Sequence, residues 1–209
     1  MSAPCSCRDD SVLAVDPPAN VLLRAPALSQ SGTSVCPRVG PDAATERNLL
    51  FVSLSGNPDD RLDSWRRHGG LPEKVAIVTA DATRSAAATD GASGMCRSGG
   101  TVISTTTVSE PGDLTGIGIK MNKALSAWED DDARTHVCFD SLTTLLQYVD
   151  TRRAFQYLHV TTKRIESAGA IAHYHIDPNA HDDQTLATIE SLFSDVFEYD
   201  TETGTWARI

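Results

Sequence analysis

The chain has 209 residues, a 40% apolar share and a formal net charge of −10. That is enough chain for one sizeable α/β domain, and the wrong sign for gripping nucleic acid with a broad basic face. Asp outnumbers Glu 20 to 8 and Arg outnumbers Lys 14 to 4, which suits hydration in concentrated salt; a halophilic cytoplasm is expected, the alternative being a GC-rich genome.

No apolar run nears the roughly 20 residues that cross a bilayer. The start lacks the basic region and apolar stretch of a signal peptide, so a cytoplasmic protein with no membrane contact is expected. Residues 1–18 read as a flexible tail rich in Ser, Asp, Pro and Ala, and 19–209 as a single domain.

Asn20 to Arg24 is the first predicted strand. The loop after it runs to about Gly40, where Pro37 and Pro41 limit any helix to a turn or two. Asn48 to Ser53 is the second strand, broken by Gly56-Asn57-Pro58, and Asp59 or Asp60 opens a short helix through Trp65 and Arg67. Lys74 to Thr79 is the third. Asp81 to Gly100 shows no periodicity and reads as a surface loop, followed by a short strand over Val102 to Thr106.

Leu114, Ile117, Met121, Leu125 and Trp128 recur at helical steps and form one apolar stripe, closed by the acidic run Glu129 to Asp132. Thr135 to Asp140 is a strand that turns at once into hydroxyls and a helix through Val149. A second helix, capped by Asp150 or Thr151, runs to a stop at Gly169. Ala170 to Asp177 is a further strand ended by Pro178. A last helix carries Leu186, Ile189, Phe193 and Val196, and Phe197 to Ile209 suits a hairpin around Glu202-Thr203-Gly204. Strands alternating with helices predict a three-layer, mostly parallel α/β sheet with helices on both faces, and ligand sites at the carboxyl ends of its strands.

Three features bear on chemistry. Asp140 stands at such a strand end, where a carboxylate holds Mg²⁺ while a nucleotide supplies other oxygens; Asp is also common there as a turn or cap residue. His173, His175 and Asp177 alternate onto one strand face, with His181 four residues on; they suit Zn²⁺ or Fe²⁺, or are buried polar groups satisfied by Ser141 and Thr143. Of the five cysteines, Cys5 and Cys7 form a C-x-C pair, but no second pair stands at zinc-ligand spacing. The spacing therefore predicts no structural zinc, and in a cytoplasm the cysteines, Cys36, Cys96 and Cys138 included, are expected to be free thiols.

The third feature is the loop after the first strand. In the register Ala27-Leu28-Ser29-Gln30-Ser31-Gly32-Thr33-Ser34 it keeps the second glycine and the hydroxyl of a phosphate-binding loop, but has Ala27 for the first glycine and Thr33 for the lysine. With Pro111 to Ile119, Val137 to Tyr148 and His173 to Asp177, this order resembles the KaiC/RecA-like ATPase superfamily, and more closely a set of haloarchaeal proteins that look like degenerate members of it. Phe139-Asp140-Ser141-Leu142-Thr143 is the most specific part, similar to the Walker B strand of KaiC-type domains.

The resemblance implies a RecA-like sheet with the His173 strand between the Asp140 strand and the first strand. It implies ATP and Mg²⁺ as ligands of Gly32, Thr33, Ser34, Asp140 and Ser141, with Ser34 and Asp140 on the metal. Such ATPases also place a water-activating glutamate at the end of the second strand, where this chain runs Phe51-Val52-Ser53-Leu54-Ser55-Gly56. Lacking that acid and the lysine, the chain is expected to be catalytically impaired and to act in regulation or assembly through a protein partner or homo-oligomer. The alternatives are an atypical Mg-nucleotide ATPase and a metal site on His173, His175 and Asp177.

Overall fold

The computed structural model describes residues 13–27, 34–40, 47–54, 58–68, 70–80, 93–98 and 100–209. Their strands are β1 (Ala19–Arg24), β2 (Arg47–Ser53), β3 (Lys74–Ala80), β4 (Ser93–Ser98), β5 (Thr101–Val108), β6 (Arg134–Asp140), β7 (Ile171–Ile176), β8 (Asp195–Asp200) and β9 (Thr205–Arg208). The helices are α1 (Pro58–His68), α2 (Leu114–Ala127), α3 (Leu142–Tyr148), α4 (Thr151–Ser167) and α5 (Asp183–Glu190). None of them is long and apolar enough to cross a membrane.

The strands form one sheet in the order β4-β5-β3-β2-β6-β7-β1-β8-β9. All neighbours are parallel except the two edge pairs, β4 with β5 and β8 with β9. The expected mostly parallel α/β sheet is therefore present, with β7 between β6 and β1 as the RecA-like reading requires. The central strands read as continuous apolar runs because both their faces are covered; β2 and β6 are buried at all but their first residue.

Helices α2 to α5 cover one face, where Leu22, Leu50, Phe139 and Tyr174 meet Ile117, Leu145, Leu158 and Ile189 in one apolar cluster. The opposite face carries two smaller clusters. Leu13, Val15, Val35 and Val39 lie with Val21 and Ile171, while Leu62 and Trp65 of α1 lie with Phe51 and Ile77.

Side-chain caps start four of the helices, the one at Asp150 as expected. Asp113, Ser141, Asp150 and Asp182 each accept a backbone N–H in the first turn of α2, α3, α4 and α5.

Four sequence expectations are corrected. Residues 93–98 are not loop but strand β4, which pairs with β5 through a tight turn where Gly100 takes φ +94°. Val196 belongs to β8 rather than to the last helix, which ends at Glu190; Phe193 lies between them. The lead-in is not loose throughout, because Leu13 and Val15 are buried and Leu13 bridges to Val39. The acidic run is more than a solvated turn, since Asp131 accepts hydrogen bonds from Asn48 Nδ2 and Lys74 Nζ. Cys5 and Cys7 fall outside the described residues.

Candidate functional site

The carboxyl ends of β1, β7, β6 and β2 lie side by side along one sheet edge. Asp140 closes β6 there, is 8% exposed, and stands in register with Ser53 of β2. The peptide joining it to Ser141 is cis. Where the resemblance places a water-activating acid, β2 runs on into Leu54, which is buried in the core and donates its backbone N–H to the Asp140 carbonyl at 2.7 Å.

Ser141 is occupied as the cap of α3: its Oγ accepts from Thr144 N at 3.1 Å and lies 3.2 Å from Thr144 Oγ1. Ser34 is partly buried at the start of the segment that leads to Cys36. Gly32 and Thr33 lie outside the described residues.

Asp177 does not join the two strand histidines. Its carboxylate accepts from Asn179 N and from Ala27 N, each at 2.9 Å, and its own N–H donates to Thr143 Oγ1 at 2.8 Å. His181 Nε2 lies 3.4 Å from that same hydroxyl. Asp177 thereby ties together the turns that leave β1, β6 and β7, a structural task that occupies its oxygens.

His173 and His175 face something else. Alternation along β6 sends Val137 and Phe139 to the helix-rich side and His136 and Cys138 to the other; β7 does the same with Tyr174 against His173 and His175. Cys138 is in register with His173.

The segment after β1 returns over this face in a single 3₁₀ turn, Cys36–Arg38, and delivers a second thiol. Cys36 Sγ lies 3.2 Å from His175 Nε2 and 3.9 Å from Cys138 Sγ, and Cys138 Sγ lies 3.8 Å from His175 Nε2. One ligand atom from each of Cys36, Cys138, His173 and His175 falls within 4.8 Å of all the others, and all four residues are buried. Two thiols and two imidazoles at such spacing are a donor set for a soft or borderline metal ion.

Burial alone would raise the Cys36 thiol, but the hydrogen bond from Cys138 and the fields of His175 and His173 hold it well below the usual range. Burial pushes His136 well down, helped by His173 and Arg47. Arg47 Nη1 lies 3.3 Å from His136 Nδ1, and its guanidinium covers the Trp65 ring at 5.5 Å. His136 in turn meets His173 edge-on, ring centres 5.9 Å apart. The spacing argument against zinc considers near-sequence pairs only, whereas the fold brings together cysteines 102 positions apart. What the sequence does carry is Cys138 two places before Asp140 and a loop that must cross β7 to reach it.

A concavity of about 530 Å³ lies between α2 and α4 and is lined mainly by apolar side chains, Leu114, Met121, Tyr157 and Val160 among them. It belongs to the helix layer and shares none of the site residues.

Comparison with known proteins bears on the fold. A Pyrococcus horikoshii OT3 protein, solved in a structural study, superposes with a TM-score of 0.53 at 11% identity, over 90% of this chain and 85% of that one. The flagellar accessory protein FlaH of Methanocaldococcus jannaschii gives 0.46 at 10% identity, over 88% of this chain and 72% of its own. No curated protein matches the sequence. A family model does match, over residues 18–199, and the chain belongs to that family, DUF7504, a family of unknown function.

Proposed function

We propose that this chain is a degenerate RecA/KaiC-like domain that does not hydrolyse nucleotide and serves regulation or assembly, through a protein partner or copies of itself. Its acidic, lysine-poor composition suits a salt-rich, haloarchaeal cytoplasm. The observation that carries the reading is the end of β2. Buried Leu54 follows Ser53 beside Asp140, so no carboxylate at that point of the strand can orient an attacking water. Phosphoryl transfer relies on positioning and charge stabilisation. With Thr33 at the lysine position as well, the expected loss is several orders of magnitude in rate.

The test is ATP turnover at high salt, measured for the native chain beside Ser34→Ala and Asp140→Ala. The reading expects all three at the same background; turnover by the native chain well above both variants overturns it.

A second reading keeps nucleotide binding without efficient hydrolysis. It is favoured by the position of Cys36, which lies against Cys138, two residues before Asp140. Gly32, Thr33, Ser34, Asp140 and Ser141 would then hold Mg-ATP through amides, hydroxyls and a carboxylate. Calorimetry with ATP and Mg²⁺ at high salt decides this: heat that Asp140→Ala abolishes supports it, and none at millimolar ligand rejects it.

A further inference from the structure

We propose that Cys36, Cys138, His173 and His175 form a closed, four-coordinate Zn²⁺ site that clamps the segment following β1 onto the sheet. Tetrahedral zinc with ordinary bond lengths sets two thiolate sulfurs about 3.8 Å apart, and a sulfur and an imidazole nitrogen about 3.6 Å apart. The separations here are 3.9 Å between the sulfurs, and 3.8 and 3.2 Å from the sulfurs to His175 Nε2. The His173 ring stands edge-on to His175, centres 5.3 Å apart, with a nitrogen inside the same 4.8 Å group. The three separations among Cys36, Cys138 and His175 already lie near the tetrahedral values, and a side-chain shift on the order of an ångström brings the His173 nitrogen in from within its 4.8 Å limit.

The placement argues against ordinary core packing. The helix-rich face of the sheet is filled by one continuous apolar cluster. On the opposite face the apolar filling divides into two clusters, one of which includes Cys36 and Cys138 beside Phe51 and Trp65, and three buried imidazoles (His136, His173 and His175) stand on β6 and β7 next to those thiols. Burying that many polar groups costs free energy unless they are satisfied. Two thiolates and two neutral imidazoles cancel the charge of a divalent zinc, so the loaded site is electrically neutral and suits a dry interior.

The donor count sets the role. Catalytic zinc keeps an open position for water, whereas four protein ligands fill the coordination sphere and mark a structural ion. The metal would hold the 3₁₀ turn at Cys36, which follows the degenerate phosphate loop by two residues, against strands β6 and β7. A clamp of this kind holds Cys36 without a bound phosphate, and it excludes Asp177 and Asp140 as ligands.

The protein is purified without a His tag, from cells grown with zinc, under reducing conditions, and its metal content is measured by mass spectrometry. The native chain and Cys96→Ser, which alters an exposed thiol, should each carry about one zinc per chain. Cys36→Ser and His175→Gln should fall below about a tenth of that. Because losing a ligand can also unfold the chain, the native protein is in addition stripped, refolded and titrated with Co²⁺. Thiolate-to-cobalt charge transfer, together with the intense visible bands of a tetrahedral sulfur–nitrogen site, supports the proposal. Zinc-free native protein that gives no such bands overturns it, as does a Cys36–Cys138 disulfide found in freshly lysed material.

Discussion

Ala27 donates its backbone N–H to the Asp177 carboxylate at 2.9 Å, joining the turn that leaves β1 to the turn that leaves β7. The other carboxylate oxygen accepts from Asn179 N, so one side chain satisfies two backbone donors at the sheet edge. Asp177→Ala should lose about 1–2 kcal/mol of unfolding free energy, the usual worth of a cap and its partner bond, as read from urea melts. Its zinc content should stay at the native level, because the thiol–imidazole group does not include it. A variant that unfolds no more readily but loses metal would make Asp177 a ligand after all.

Leu54 is the residue that decides how the strand end reads. Truncation to alanine leaves a cavity in the cluster on the helix-rich face and should cost about 2–4 kcal/mol, seen as a lower denaturant midpoint with an unchanged slope. ATP turnover should remain at background. A Leu54→Ala variant as stable as the native chain would mean that this end of β2 is not packed as a core position.

How far the sequence reveals all this depends on the range over which each feature is encoded. Periodicity places the Leu114 to Trp128 stripe because each residue contacts its own helix neighbours and one sheet face. Caps at Asp113 and Asp150 are equally local. The His173–His175 pair is legible too, since alternation on a strand needs only adjacent residues. Asp177 continues that alternation by count, but β7 ends at Ile176 and the chain turns there, so the period no longer applies. Cys36 cannot be assigned by spacing at all: its partners come from strands that become its neighbours only once β7 is inserted between β1 and β6. Strand β4 escapes a reading by pattern because its stretch, Ser93 to Ser98, is an edge with one paired side and exposed residues from Gly94 onward, which leaves no apolar alternation to detect.

Acid should weaken one specific tie. Asp131 accepts from Lys74 Nζ at 2.8 and 2.9 Å and from Asn48 Nδ2 at 2.7 Å. Hydrogen bonding to Lys74, then to Asn48, holds its carboxyl below the usual value. A carboxyl depressed in the folded state contributes its stability above the unfolded pKa, near 3.9, and gives it up as pH falls through the lower folded value. The melting temperature of Asp131→Asn should therefore lie below that of the native chain at pH 7 and converge on it below about pH 3. The gap at pH 7 should also narrow in high salt, since the ion pair is partly exposed and screened. A gap that stays constant from pH 7 to pH 3 would show that the carboxylate charge is not what Lys74 and Asn48 are reading.

Asn20 offers the sharpest test of the buried polar interior. Only 2% exposed, it sends Nδ2 to the Thr162 carbonyl of α4 at 3.1 Å, while its Oδ1 accepts from the Tyr174 hydroxyl of β7 at 3.4 Å. Tyr174 is fully buried, stacked on Phe139 with ring centres 5.6 Å apart, and burial drives its hydroxyl far above the usual phenol range. Asn20→Ala strands that hydroxyl without its acceptor and should cost about 2–3 kcal/mol. Tyr174→Phe removes a long hydrogen bond and keeps the ring, so it should cost about 1 kcal/mol or less. In the double variant no hydroxyl is left stranded, and the combined loss should be smaller than the sum of the two single losses. Simple additivity in chemical denaturation would mean that the 3.4 Å contact carries no energy, and that Asn20 is retained for its bond to α4 alone.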